Sequence, residues 1–337
     1  MSVTEISTDR VSTPLRRTRR SLNSLAWNTA ARPAMVAVSR APFVGPTALT
    51  IARPALNSSL TALSPVPRGT RITTARNWHG DGQVRGEWTH VARRHGGGVP
   101  RPQDGRSILY YLHGSGFLIC STRTHRGLVS RLVRRSGIGA FALDYRLGPQ
   151  HRFPTAGDDA IRGYRWLLDQ GWAPVQIIVG GASAGGHLAQ DLLAANHADG
   201  VPQPKAMLLL SPLHDPSLEL AETYQRETGV YDPYIDPVAA RRLIRFYTGD
   251  TPSDDPRMRI ALTADLDVPD TLIQVGRREV LVGDARTIHR NVLDAGGRSQ
   301  LQEWPGQSHV FQMFPYFTPE SRKAMREAKD FIDRNLV

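Results

Sequence analysis

Within Gly181-Ala182-Ser183-Ala184-Gly185-Gly186, a single hydroxyl stands between glycines two residues before and two after it. A serine alcohol becomes a useful nucleophile only when a base takes its proton and fixed donors receive the charge that develops on the attacked carbonyl. Gly181 and Gly185 remove the Cβ atoms that would collide if a strand and a helix met in a tight turn here. The apolar run Ile177-Ile178-Val179 before the motif and the stretch His187 to Ala195 after it read as that strand and helix. Ser183 is thus the candidate nucleophile. The N–H of Ala184, at the positive end of the following helix, is a candidate donor to an oxyanion. The competing reading is a small-residue turn or a phosphate-cradling loop. It is weakened because no G-x-G-x-x-G opens an early βαβ unit and no Walker lysine is present.

A second glycine-rich segment, His113-Gly114-Ser115-Gly116-Phe117, directly follows the strand candidate Ile108 to Leu112. Backbone N–H groups reach a tetrahedral intermediate only where side chains are small, and Ser115 and Gly116 can present theirs opposite Ala184. His113 and Gly114 complete the motif. Together, the two segments describe acyl transfer through a covalent intermediate better than either does alone.

With both segments in view, the chain resembles the hormone-sensitive-lipase family of α/β-hydrolases. The family's marks are H-G-G-G after an early strand and G-D-S-A-G-G at the nucleophile. A third likeness is Asp144-Tyr145-Arg146-Leu147-Gly148-Pro149-Gln150-His151-Arg152-Phe153-Pro154, close to the family's D-Y-R-L-A-P-E-x-x-F-P. That stretch reads as structural, with Arg146 expected to pair with a carboxylate. The resemblance runs from about residue 107 to the C-terminus. Two departures stand out. Ser115 replaces the middle glycine, which keeps the backbone donor but adds bulk near the acyl pocket, and Ala182 replaces an Asp, which removes a supporting hydrogen bond.

The resemblance implies the order nucleophile, acid, base along the chain. His309, in Gly306-Gln307-Ser308-His309-Val310-Phe311, lies just beyond the strand candidate Leu301 to Glu303 and is the last histidine of the sequence. It is the expected base. The segment Gly276 to Asp284 follows the strand candidate Thr271 to Val275 and offers two carboxylates, Glu279 and Asp284. The family pattern G-x-x-D-x-L or G-x-x-E-x-L falls on Glu279. Asp284 suits an N-cap of the next helix instead.

These residues need a frame. From Ser107 onward, short apolar runs (Ile108 to Leu112, Ala140 to Leu143, Ile177 to Val179, Met207 to Leu210, Thr271 to Val275, Leu301 to Glu303) alternate with helical stretches. The helical stretches are near Arg126 to Arg135, Asp158 to Asp169, Gly186 to Ala195, Asp284 to Asp294 and Ser321 to Asn335. Such alternation predicts βαβ units and a mostly parallel sheet. Ahead of them, Thr70 to Trp78 and Val84 to Ala92 flank a turn containing Asp81-Gly82 and predict a hairpin. The interval from Ser211 to Asp270 interrupts the rhythm. The expectation is an α/β-hydrolase fold over 71–337, with helices on both faces of the sheet. Its helical cap would come from an insertion at about 211–250 and from a basic N-terminal segment, 1–70, predicted to hold one or two helices.

Composition bounds the partners. The net charge of +11 is concentrated at the N-terminus, where residues 1–70 carry nine arginines against Glu5 and Asp9. A basic arm on a nearly balanced body argues against a nucleic-acid enzyme and leaves peripheral contact with an anionic membrane as an alternative role for the arm. Cys120, the single cysteine, excludes an intrachain disulfide and a cysteine-based zinc site, and its apolar neighbours predict a buried structural residue. No run reaches the roughly 18 to 20 apolar residues of a membrane span, and Arg32-Pro33 breaks the hydrophobic region an export signal would need, so a cytoplasmic location is expected. No metal or organic cofactor is implied. The reading is an ester hydrolase acting on a small-molecule or lipid ester of short to medium acyl length. The alternatives are a non-catalytic ligand-binding protein of the same fold and a membrane-surface lipase led by the basic arm.

Overall fold

A computed structural model of the chain describes residues 45–91, 98–114, 116–314 and 318–336. Residues 1–44, which hold most of the basic arm, and Ser115 of the expected oxyanion loop lie outside the described residues. The described chain opens with helix α1 (Pro46–Leu63) and the hairpin β1 (Thr70–His79) and β2 (Gly82–Val91). Then follow β3 (Ile108–Leu112), α2 (Thr122–Ser136), β4 (Gly139–Leu143), α3 (Thr155–Asp169), β5 (Ile177–Ala182), α4 (Ala184–Ala198) and β6 (Ala206–Leu210). The interval that broke the rhythm holds α5 (Glu219–Thr228) and α6 (Pro237–Thr248). The chain ends with β7 (Asp270–Gly276), α7 (Val282–Asp294), β8 (Ser299–Trp304) and α8 (Pro319–Arg334).

The strands form one eight-stranded sheet in the order β1-β2-β4-β3-β5-β6-β7-β8. The hairpin and its junction with β4 are antiparallel, and every pairing from β4 through β8 is parallel. Parallel strands need both faces covered and therefore read as unbroken apolar runs, as Ile108-Leu109-Tyr110-Tyr111-Leu112 does. Successive side chains of β3 point to opposite faces. Ile108, Tyr110 and Leu112 join a core with residues of α3, α4 and α7, including Tyr164, Leu188 and Ile288. Leu109 and Tyr111 join another core with Leu128 and Leu132 of α2 and Phe331 and Ile332 of α8. In α8 the buried residues Ala324, Met325, Ala328, Phe331 and Ile332 recur at helical spacing, while Thr318 caps its start by accepting the Ser321 N–H.

This arrangement is the α/β-hydrolase fold. Its parallel strands all end on the same edge, and the loops leaving β3, β5, β6, β7 and β8 cluster there. Cys120 is buried, and its backbone N–H and C=O are both taken by the Asn57 side chain of α1.

Candidate active site

The candidate oxyanion loop and the candidate nucleophile meet because β3 and β5 are parallel neighbours with Leu112 opposite Gly181. One residue further on, the fit leaves no room for side chains. A Cβ on Gly114 would lie 2.9 Å from the Ala182 carbonyl oxygen, and one on Gly185 would lie 2.1 Å from the Leu112 oxygen. A Cβ on Gly181 would meet the Gly185 oxygen at 2.3 Å. Gly114, Gly181 and Gly185 are therefore packing requirements. Gly116 adopts φ +56°, a left-handed conformation that suits glycine.

Ser183 occupies φ 52°, ψ −121°, a strained conformation for a residue with a side chain. Three backbone hydrogen bonds hold it there. Its N–H donates to the Leu210 carbonyl at 3.0 Å, and its own carbonyl accepts from Gly186 at 2.8 Å and Leu213 at 3.0 Å. The strained elbow aims the partly exposed Ser183 beyond the sheet edge, directly before α4. Ala184 is the first residue of that helix, where backbone N–H groups have no helical partner.

Behind the loop, the family-like stretch after β4 acts as a brace. The Tyr145 hydroxyl donates to the His113 carbonyl at 2.7 Å, and the two rings stack with centroids 4.1 Å apart. The Gly114 N–H donates to Nε2 of His125 at 3.3 Å. Burial pushes His125 down to about 3, with the nearby His113 adding to the effect, and pushes His113 down to about 4. Both rings are therefore neutral near pH 7. Arg146 finds the carboxylate expected for it: its guanidinium and backbone N–H all bond Asp159.

The acid and base loops are joined in the same way. Gly276 at the end of β7 lies opposite Trp304 at the end of β8, and a Cβ on Gly276 would meet the Gln307 carbonyl at 2.4 Å. Beyond the strands, the N–H groups of Arg277 and Arg278 donate to Trp304 and Gln307. This stitching brings Glu279 to His309. Nδ1 of His309 lies 2.7 Å from Oε2 of Glu279, a carboxylate with no solvent exposure. Because the carboxylate can only accept, the Nδ1 position carries the proton and the Nε2 lone pair is left for another donor. Burial pulls the His309 pKa down, but the hydrogen bond and charge of Glu279, with Asp232 behind them, outweigh it and leave it above the ordinary histidine value.

Two residues of this cluster carry no sequence signal. Ser211, fully buried at the end of β6 with φ +47°, donates its hydroxyl to Oε1 of Glu279 at 2.8 Å and accepts the Val310 N–H at 3.0 Å. Oε1 also accepts the Gly276 N–H. Asp232, between α5 and α6, accepts the Val280 N–H at 2.9 Å. In the sequence Ser211 is a polar residue ending an apolar strand, and Asp232 lies inside an insertion with no recognisable pattern. The pairing of β6 with β7 reveals Ser211, and the packing of the α5–α6 segment against the loop after β7 reveals Asp232.

Asp284 corrects one expectation. It does not cap α7, because Leu281 holds that position and no side chain caps it. Asp284 lies within the first turn, fully buried, and its Oδ1 accepts the backbone N–H groups of His214 and Asp215 from the loop after β6. It ties two loops together instead of closing a helix end.

Among the described residues, no group of His, Cys, Asp and Glu could hold a metal ion, and no helix is long and apolar enough to cross a membrane.

Known proteins place this geometry. The family described as alpha/beta hydrolase fold matches residues 109–313. An acetyl-hydrolase from Streptomyces hygroscopicus is 36% identical over 270 residues, covering 79% of this chain and 83% of its own. The esterase LipU from Mycobacterium tuberculosis is 34% identical over 242 residues, covering 68% and 79%. The crystal structure of an esterase from the bacterial hormone-sensitive lipase family superposes with a TM-score of 0.78 at 29% identity, over 94% of this chain and 99% of that one. With the elbow, the oxyanion loop and the joined acid and base loops in the family's order, the chain belongs to the hormone-sensitive-lipase family of α/β-hydrolases.

Proposed function

We propose that this protein is a serine carboxylesterase that hydrolyses short to medium acyl esters through an acyl-enzyme. The observation that carries the reading is the 2.7 Å contact of Glu279 with Nδ1 of His309, which fixes the tautomer a general base needs. Ser183 attacks the ester carbonyl while Nε2 of His309 takes its proton. The N–H groups of Ser115, Gly116 and Ala184 receive the oxyanion. His309 returns the proton to the leaving alcohol, and water then repeats the sequence in reverse to free the acid. Glu279 keeps its charge throughout and stabilises the imidazolium.

The preference for shorter acyl chains rests on the segment 211–250 and on α1, read as a cap. Tyr247 of α6 stacks on Phe117 of the oxyanion loop at 4.6 Å, and a Cβ on Gly116 would sit 3.7 Å from Ile244. Helix α6 thus lies close to Gly116 and Phe117 and supports a bounded acyl site. The test is hydrolysis of p-nitrophenyl esters of increasing acyl length by the wild type and Ser183→Ala. Wild-type turnover should peak at short to medium chains, and Ser183→Ala should lose up to about 10⁶-fold in turnover, as in well-studied serine hydrolases. An active Ser183→Ala protein, or faster turnover on emulsified long-chain triglyceride, would overturn the corresponding part of the reading.

A further inference from the structure

Glu279 is not the only carboxylate buried behind the base. Asp232 is 5% exposed, and no arginine or lysine bonds it among the described residues. Its bonds are all to backbone. Oδ1 accepts the N–H groups of Tyr234 at 2.8 Å and Ile235 at 3.1 Å, turning the chain into α6. Oδ2 accepts the N–H of Val280, the residue directly after Glu279. One carboxylate therefore fastens the segment that leads into α6 to the peptide that carries the acid. It also places a second negative charge on the protein side of the Glu279–His309 pair.

We propose that Asp232 is a positioning residue for the catalytic pair, a second carboxylate that fixes the Glu279 loop from the α5–α6 segment and holds the imidazolium of His309 by its charge. This rests on the esterase reading above. Among the described residues, the titratable groups coupled to His309 by charge are Glu279 from the loop after β7, Asp232 from the α5–α6 segment and His125 from α2. The two carboxylates favour the charged ring. His125, driven neutral by burial, does not oppose them near pH 7. Burial and the charge of Glu279 push Asp232 itself up to about 6, while His309 pulls it back. Asp232 and His309 are therefore coupled through their charges.

The arrangement also accounts for why a carboxylate is needed. An Asn at this position could accept from Tyr234 and Ile235 with its oxygen, but its NH₂ would then face the Val280 N–H, donor against donor. Asp232→Asn should lower kcat about tenfold to a hundredfold, the range expected when a hydrogen bond to a charged group is lost. Its acid limb of kcat/KM should move to lower pH, because the imidazolium loses one of its two partners. A merely structural role would lower the melting temperature without moving that limb.

The experiment measures kcat and the pH profile of kcat/KM for the wild type, Asp232→Asn and Asp232→Glu on a soluble butyrate ester. It also follows the His309 imidazole by NMR titration, assigned by comparison with His309→Gln. Asp232→Glu keeps the charge and displaces the oxygens, so its acid limb should stay with the wild type while kcat falls. A His309 titration and acid limb unchanged in Asp232→Asn would overturn the proposal. If that variant does not fold, wild-type kcat in Asp232→Glu would overturn it. Should the wild type hydrolyse no ester, the esterase reading fails by itself, and the imidazole titration still decides whether Asp232 acts on His309.

Discussion

Glu279 and Asp284 are five residues apart, both fully buried, and both within reach of the loop after β6, yet they do different work. Glu279 receives a hydroxyl from Ser211, a backbone N–H from Gly276 and an imidazole N–H from His309. Among the described residues, Asp284 receives the backbone N–H groups of His214 and Asp215 on Oδ1, while its Oδ2 is buried without a hydrogen-bond partner. Burial alone thus does not mark a catalytic acid. The partner does: an imidazole on one side and fixed donors on the other hold Glu279 in place, whereas Asp284 has no cationic partner among the described residues, and burial, with the charge of Asp215 adding to it, pushes it up to about 7. The first carboxylate holds an imidazole, and the second is a loop tie that is readily neutralised.

The largest test of this contrast is Glu279→Gln. An amide cannot support the imidazolium, and it allows the wrong tautomer, so turnover should fall about 10⁴-fold with the fold retained, measured by steady-state kinetics alongside circular dichroism. Near-normal turnover would remove Glu279 from its role.

Ser211→Ala should have an intermediate effect. It deletes one of the donors that fix Glu279 and leaves the Val310 N–H unpaired beside the base. The loss expected is about tenfold to a hundredfold in kcat with little change in KM. A rise in KM alone would mean that Ser211 shapes the binding site instead.

Asp284→Asn should have the smallest effect on activity, with turnover unchanged. Its signature is in stability. A carboxyl whose folded pKa is raised binds its proton more tightly in the folded state, so its contribution is complete below the ordinary carboxylate value and is lost as pH rises toward about 7. Thermal melts of the wild type and Asp284→Asn between pH 4 and pH 7 should therefore diverge, the wild type losing more stability as pH rises. Parallel melting curves across that range would show that Asp284 is not neutral in the folded protein.

How much was legible beforehand follows the same division. The elbow and the oxyanion loop could be read from the sequence because glycine is demanded wherever two backbones pass within van der Waals distance. Gly114, Gly181 and Gly185 each face a carbonyl closer than any Cβ allows. The parallel strands could be read because a sheet covered on both faces must be apolar on alternate and intervening positions alike, as in β3. Their ends still moved. β5 runs through Gly180, Gly181 and Ala182, small residues that carry no β signal but pair in register with β3 and β6.

The sequence by itself determined the sheet and pointed to the candidate nucleophile and base, because those depend on residues adjacent in the chain or on apolar periodicity. Tertiary structure alone decided what Asp284 does and that Ser211 and Asp232 bond the loops that carry Glu279 and His309. Each acts across 48 to 70 residues of chain, through a hydrogen bond that exists only once distant segments are folded against the loop after β7 and the first turn of α7. A short polar side chain has no periodic signature, so what it does depends on what the fold places opposite it.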